Sequence, residues 1–293
     1  MNTRNIRFRS NRVRDIIALL YEELDPLYGH SETGTFVEML FEAFLGWNRV
    51  QLLTSREQTI DQSDLLRFHW ALEDLKKYRP IQHIIGYTEF CGCRIEVTPD
   101  VLIPRPETEE IVTQLCAQQV QGCVTAIDLC TGSGCIAIAL KKAFPSAQVT
   151  AVDLSPAALD IARHNAQCNN TDIRFLQADI LSPEFTIHDS QFSIIISNPP
   201  YIMERERAEM SRNVLGYEPD EALFVPDSDP LRFYRAIGRF AAQHLSDDGL
   251  LVVEINEHLG EETRMTLQAS GLETKLRRDF RGKERCIIAR RYH

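Results

Sequence analysis

From about residue 107 onward, short runs of Val, Ile and Leu alternate with longer stretches of helical periodicity, and this alternation restricts the fold more than any other feature. The apolar runs fall at 125–129, 149–154, 173–177, 192–197 and 250–255, with helical stretches at 133–143, 156–168 and 229–245 between them. A strand, a crossover helix and a second strand run in the same direction within one sheet, so the pattern builds a mainly parallel sheet with helices on both faces. After a helical stretch at 258–270, two further β runs, 273–280 and 285–291, are joined by Arg281-Gly282-Lys283-Glu284. That spacing predicts a hairpin, so the sheet should end with an antiparallel strand. The expected fold class is α/β.

Before residue 80 the texture is different. Ile16, Ile17, Leu19 and Leu20, then Val37, Leu40, Phe41, Phe44 and Leu45, then Leu65, Leu66, Phe68, Leu72 and Leu75 recur at helical spacing. They predict helices over 12–24, 32–46 and 62–78, with a shorter one over 48–54. Breaks are expected at Asp25-Pro26 and Gly46-Trp47-Asn48, and Pro80 closes the last helix. Gly92 between two β runs marks a short hairpin, and Pro99, Pro104 and Pro106 mark a connection. The expected division is a helical domain over 1–83, a β-hairpin linker over 84–100 and an α/β domain over 101–293. A chain of 293 residues, 44% of them hydrophobic, has enough apolar surface for two cores.

The same composition excludes several classes. No run approaches the roughly 20 apolar residues that span a bilayer. Arg4, Arg7, Arg9, Arg12 and Arg14 crowd the N-terminus, and they read as a basic first turn rather than a transit peptide. The net charge of −10 weighs against a general nucleic-acid partner, which needs a basic face. The 8 cysteines form no C-x-x-C pair and several sit in apolar runs, so a reducing cytoplasm and no metal site are expected. Cys91-Gly92-Cys93 is the one close pair. His69, His83, His164, His188 and His258 show no ligand spacing and read as surface or core residues.

Two loops carry chemistry. The first, Asp128-Leu-Cys-Thr131-Gly132-Ser-Gly134-Cys-Ile-Ala137, joins the first strand of the sheet to its first helix. Gly132 and Gly134 allow a tight turn and close approach of a ligand to the backbone. Ligands of open parallel sheets bind at the carboxyl ends of the strands. The string is formally G-x-G-x-x-A, a dinucleotide fingerprint that is weak alone. Asp128 would repel a pyrophosphate and suits a cation, such as the amino group of S-adenosylmethionine, so the methyl donor is favoured over NAD. Asp153 ends the next strand and is placed to accept from ribose hydroxyls, with Leu154 beside it. Asp179 follows the third strand and either accepts from an adenine amino group or caps a turn.

The second loop, Asn198-Pro199-Pro200-Tyr201, follows the fourth strand and reaches the same sheet edge. A planar NH2 group is a poor nucleophile because its lone pair is delocalised. Two acceptors aimed at its two N–H bonds, the Asn198 side-chain carbonyl and the Pro199 backbone carbonyl, orient the nitrogen and stabilise the charge developing on it. Proline limits the backbone and holds that carbonyl in place. Tyr201 offers a ring face to a flat substrate. The string points to methylation of an amide or an exocyclic amine.

With both loops in view, the chain resembles the HemK/PrmC family, the protein-(glutamine-N5) methyltransferases that modify peptide chain release factors. The matching segments are 80–90, Leu102-Ile-Pro-Arg105-Pro-Glu107-Thr-Glu109, the glycine loop, Asn198–Tyr201 and Tyr217-Glu218-Pro219. The resemblance implies a class I methyltransferase fold preceded by a helical domain that recognises the substrate. It implies S-adenosylmethionine as donor, S-adenosylhomocysteine as product, and the glutamine of a Gly-Gly-Gln loop as acceptor. Asp128, Thr131, Gly132, Gly134, Asp153, Leu154, Asp179 and Asn198 would hold the donor. Asn198, Pro199 and Tyr201 would be catalytic, and Pro200 and Glu218 would join them around the glutamine. The family's loop carries Gly where this chain has Cys130. Arg105 and Glu107 either order the donor pocket or form an inter-domain salt bridge, and the long segment 202–228 would form a pocket wall. A cytoplasmic monomer with no membrane or direct nucleic-acid contact is expected. Methylation of a ribosomal-protein glutamine and of N6-adenine in DNA or RNA are the alternatives.

Overall fold

The computed structural model describes residue 8 and residues 10–117, 124–187, 190–279 and 281–292. Arg4, Arg7 and Arg9 of the basic N-terminus, Cys123, His188 and Phe280 lie outside the described residues. The described chain falls into two compact units. The first runs to Gly86 and takes in Arg212–Tyr217; the second comprises Tyr87–Ser211 and the chain from Glu218 onward.

The first unit is helical: α1 (Val13–Tyr28), α2 (His30–Leu45), α3 (Arg49–Thr54), α4 (Gln62–Leu75) and α5 (Ile81–Ile85). Val13, Ile16, Leu20 and Leu24 form one buried stripe on α1, facing Phe36, Leu40 and Phe41 of α2 and Phe68, Leu72 and Leu75 of α4 in a single core. The expected break at Asp25-Pro26 does not occur. Pro26 forfeits one backbone hydrogen bond within the last turn, and α1 ends instead at Gly29, at φ +79°, whose N–H bonds the Asp25 carbonyl. α4 stops three residues earlier than expected, and Tyr78 sits in the left-handed region at φ +66°. In this unit the Tyr217 hydroxyl donates to the Lys77 carbonyl at 2.8 Å.

The second unit opens with a hairpin, β1 (Tyr87–Phe90) and β2 (Cys93–Glu96). Its two turn residues, Cys91 and Gly92, both have positive φ, as the tightest hairpin turn requires. Phe90, Cys93 and Ile95 are buried in the core of this unit. Helix α6 (Pro106–Cys116) follows, where the prolines suggested only a connection. Pro106 occupies the first turn of α6, where its missing N–H is not needed.

Next come β3 (Thr125–Leu129), α7 (Cys135–Ala143), β4 (Gln148–Asp153), α8 (Pro156–Cys168), β5 (Arg174–Gln177) and β6 (Phe192–Ser197). Segment 202–228 is structured: β7 (Ile202–Met203), a 3-10 turn (Glu204–Glu209), α9 (Asp220–Leu223) and β8 (Phe224–Val225), with β7 and β8 paired in parallel. The chain ends with α10 (Arg232–His244), β9 (Leu245–Glu254), α11 (Gly260–Ala269), β10 (Leu272–Arg278) and β11 (Glu284–Arg291).

The main sheet has the order β10-β11-β9-β6-β3-β4-β5. All of its neighbouring pairs are parallel except those made by β11, which runs antiparallel to both β9 and β10. The antiparallel strand is thus the last in sequence but lies one place in from the sheet edge. Alternate side chains feed two cores: Ala126, Ile194 and Ile196 pack with α6, α7 and α8, while Ile127, Ile195 and Val253 pack with α10 and α11. Strand order reverses between β3 and β6, which opens a crevice at their carboxyl ends.

Candidate active site

Both signature loops leave the sheet at this crevice. Leu129 and Ser197, the last residues of β3 and β6, pair in register, and the Ser197 hydroxyl donates to the Leu129 carbonyl at 2.6 Å. Loop 130–134 and loop 198–201 therefore start side by side.

The glycine loop turns through three residues of positive φ: Cys130 (+63°), Gly132 (+54°) and Gly134 (+80°). A Cβ at Gly134 would meet the Ala162 Cβ at 3.0 Å, so α8 can pack against the loop only with glycine there. A Cβ at Gly132 would meet nothing within 4 Å, so that backbone borders open space. Asp128 is fully buried, and its Oδ2 accepts from the Thr131 hydroxyl at 2.6 Å. Its Oδ1 has no hydrogen-bond partner. Burial pushes the Asp128 pKa up to about 7, against the lowering effect of the Thr131 bond.

Asp153, at the end of β4, braces this loop. Its Oδ2 accepts from Gly132 N at 2.8 Å and its Oδ1 from Ser155 N at 2.9 Å. Burial raises its pKa, and those two N–H bonds oppose the rise. Each oxygen keeps a lone pair for a further donor. Leu154 beside it is 61% exposed. Asp179 holds a turn, accepting from Leu181 N at 2.8 Å, which is the capping role weighed from the sequence.

At the second loop, Pro199 and Pro200 are buried and Asn198 and Tyr201 are half-buried. The Asn198 Nδ2 donates to the Thr108 hydroxyl at 3.2 Å, and that hydroxyl donates to Glu254 Oε2 at 2.6 Å. A carboxylate only accepts, so the Thr108 oxygen must present a lone pair to Asn198, which fixes the orientation of the amide. Glu254 Oε1 accepts from the Tyr201 hydroxyl at 3.0 Å. Burial raises the Glu254 pKa, opposed by these two hydroxyls. Among the described residues nothing donates to the Asn198 Oδ1 or to the Pro199 carbonyl. Asn256 Nδ2 donates to the Tyr201 carbonyl at 3.1 Å and so fixes the exit of the loop.

Thr108, Glu254 and Asn256 escaped the sequence reading. Thr108 lies in the distinctive Pro-Arg-Pro-Glu-Thr-Glu string, where attention fell on Arg105 and Glu107. Glu254 had a signal too: a lone acid within the apolar run 250–255.

Glu218 is anchored on the segment that precedes α6. Its Oε2 accepts from Ile103 N at 3.1 Å and its Oε1 from Arg105 at 2.7 Å, with its side chain only 1% exposed. Each oxygen has one partner, so Glu218 braces the segment before α6. The Arg105 salt bridge lies within the second unit and is not an inter-domain contact. Burial raises the Glu218 pKa, and Arg105 opposes it. In the hairpin turn the Cys91 N–H donates to Glu109 Oε1 at 2.7 Å, and Cys93 is buried.

Residues 108–215 match the family described as the methyltransferase small domain, and residues 28–86 match the PrmC N-terminal domain. The chain is 41% identical to the release factor glutamine methyltransferase of Flavobacterium psychrophilum, over 91% of this chain and 94% of that protein. It is 38% identical to the Bacteroides thetaiotaomicron protein of the same name, over 94% of this chain and 99% of that one. A solved methyltransferase from Pyrococcus furiosus shares the fold with TM-score 0.50 at 20% identity, covering 69% of this chain and 90% of its own.

Proposed function

The chain belongs to the release factor glutamine methyltransferase family, and from that premise we propose that it methylates the side-chain amide nitrogen (N5) of the glutamine in the Gly-Gly-Gln motif of peptide chain release factors, with S-adenosylmethionine as donor. The observation that carries this reading is the Asn198 amide, oriented by Thr108 and Glu254, with its carbonyl and that of Pro199 left as two acceptors at the mouth of the crevice.

The donor loop fits such a cofactor. The unpartnered, buried Asp128 Oδ1 suits its cationic amino group, and the open backbone at Gly132 admits it closely. The spare lone pairs of Asp153 suit ribose hydroxyls, and the exposed Leu154 side chain offers an apolar cover for adenine. When bound, the donor supplies a methyl group on a cationic sulfur. Asn198 and Pro199 do the rest by positioning. Their carbonyls accept the two N–H bonds of the glutamine amide, align its nitrogen, and stabilise positive charge as it develops there. Pro200 and the Tyr201 ring flank the planar amide, and Glu254 holds the Tyr201 hydroxyl in place. The product proton leaves to solvent.

Among the described residues no helix is long and apolar enough to cross a membrane. The free thiols of the described cysteines and the net charge of −10 support a cytoplasmic enzyme whose partner is a protein rather than a nucleic acid. We take it to act as a monomer, with the helical unit recognising the release factor.

Incubation with donor and purified release factor, followed by peptide mass mapping, tests this directly. A single methyl on the Gly-Gly-Gln glutamine is expected. A methyl on lysine, on a ribosomal-protein glutamine alone, or only on added nucleic acid would reject the reading. Asn198→Ala should lower kcat about a hundredfold or more while donor Kd, by calorimetry, changes little.

A further inference from the structure

On β2 and α8 three different donor groups converge. The His164 Nε2 lies 3.1 Å from Glu96 Oε2 and 3.4 Å from Cys168 Sγ, and all three ligand atoms lie within 4.8 Å of one another. His164 and Cys168 are exposed and one helical turn apart on α8, and Glu96 is half-buried at the end of β2. We propose that Glu96, His164 and Cys168 form a three-ligand site for a borderline-soft divalent metal, zinc above all, with water in the fourth position.

The geometry is close to what zinc requires. Tetrahedral bonds of about 2.3 Å to sulfur and about 2.0–2.1 Å to nitrogen and oxygen place the N and S ligands about 3.5 Å apart and the N and O ligands about 3.3 Å apart. The two distances from His164 already match those edges. A mixed imidazole, thiolate and carboxylate set suits zinc rather than magnesium or calcium, which take oxygen ligands.

The frame that holds the donors is rigid. Asn165, next to His164 and fully buried, accepts from Glu96 N at 2.8 Å and donates to the Glu96 carbonyl at 3.0 Å. Asn169, next to Cys168, donates to the Arg94 carbonyl at 2.8 Å. The backbones carrying the ligands are therefore fixed to each other without a metal, so little ordering cost remains for binding. The site was invisible in sequence because Glu96 is remote from the His-x-x-x-Cys pair and only the hairpin brings it there. On binding, the Cys168 thiol proton passes to solvent and the thiolate bonds the ion.

The test uses the full-length, tag-free protein. Cobalt(II) titration should produce a thiolate-to-cobalt charge-transfer band that saturates at a single equivalent. Zinc, measured against a chromophoric chelator, should displace it and raise Tm. Cys168→Ala and His164→Ala should each remove the band and weaken zinc at least about tenfold, and Glu96→Gln should weaken it too. Cys286→Ala should leave the band intact. These ligands lie at the surface, so metal-free Tm values should match the parent. Wild-type protein without the charge-transfer band, or with a band and affinity that survive Cys168→Ala, would overturn the proposal.

Discussion

Cys130 shows how one side chain is constrained by the loop it sits in. At φ +63° a residue with a Cβ is strained, and a β-branched one more so. Cys130→Gly releases the strain but loses packing and gains unfolded-state entropy, so stability should change by less than about 1 kcal/mol. Cys130→Val should cost at least about 2 kcal/mol. Urea denaturation of both variants checks the contrast. Asp128 gives a pH prediction. The native carboxyl stays protonated to about 7, whereas the unfolded chain releases that proton near 3.8. The native state thus binds more protons across this window, and stability from this residue is lost as pH rises through it. Asp128→Asn should flatten that slope in donor-free protein. Donor affinity of the parent should rise with pH through about 7, because a cation favours the ionised carboxyl, and the variant should lack this rise. Asp128 and Asn198 were legible because each lies within one residue of the end of a strand, at a loop of unusual composition. The link from Asn198 through Thr108 to Glu254 was not, since Thr108 and Glu254 are 146 residues apart and no local pattern couples them.

Among elements, the turn between β3 and α7 separates two uses of glycine. Gly134→Ala combines a positive φ with a clash against Ala162 and should destabilise the protein by about 2 kcal/mol or more. Gly132→Ala faces open space, so its folding cost should be the smaller, about 1 kcal/mol. Its donor affinity should fall further than that of Gly134→Ala relative to the stability lost. Thermal unfolding and calorimetry together separate the two. The strands of the sheet were readable because buried parallel strands are continuous apolar runs. Helix α6 was hidden by three prolines that signal a break, yet Pro106 begins a helix as readily as proline ends one. Segment 202–228 was hidden for another reason: two-residue strands such as β7 and β8 are too short to carry a period.

At the scale of the whole molecule, the charge of −10 makes a salt-dependent grip on phosphates unfavourable. Duplex DNA or RNA added as a competitor should leave release-factor methylation unchanged at low ionic strength, and inhibition in filter assays would contradict a purely protein partner. The sheet order carries a further consequence. β9 and β10 are both made before β11, the strand that lies between them. As the chain grows from its N-terminus, β9 has no partner on that side until residues 284–291 emerge. A nascent chain therefore carries an unpaired apolar strand edge late into its own synthesis, the kind of edge that recruits chaperones or pairs with a neighbouring copy.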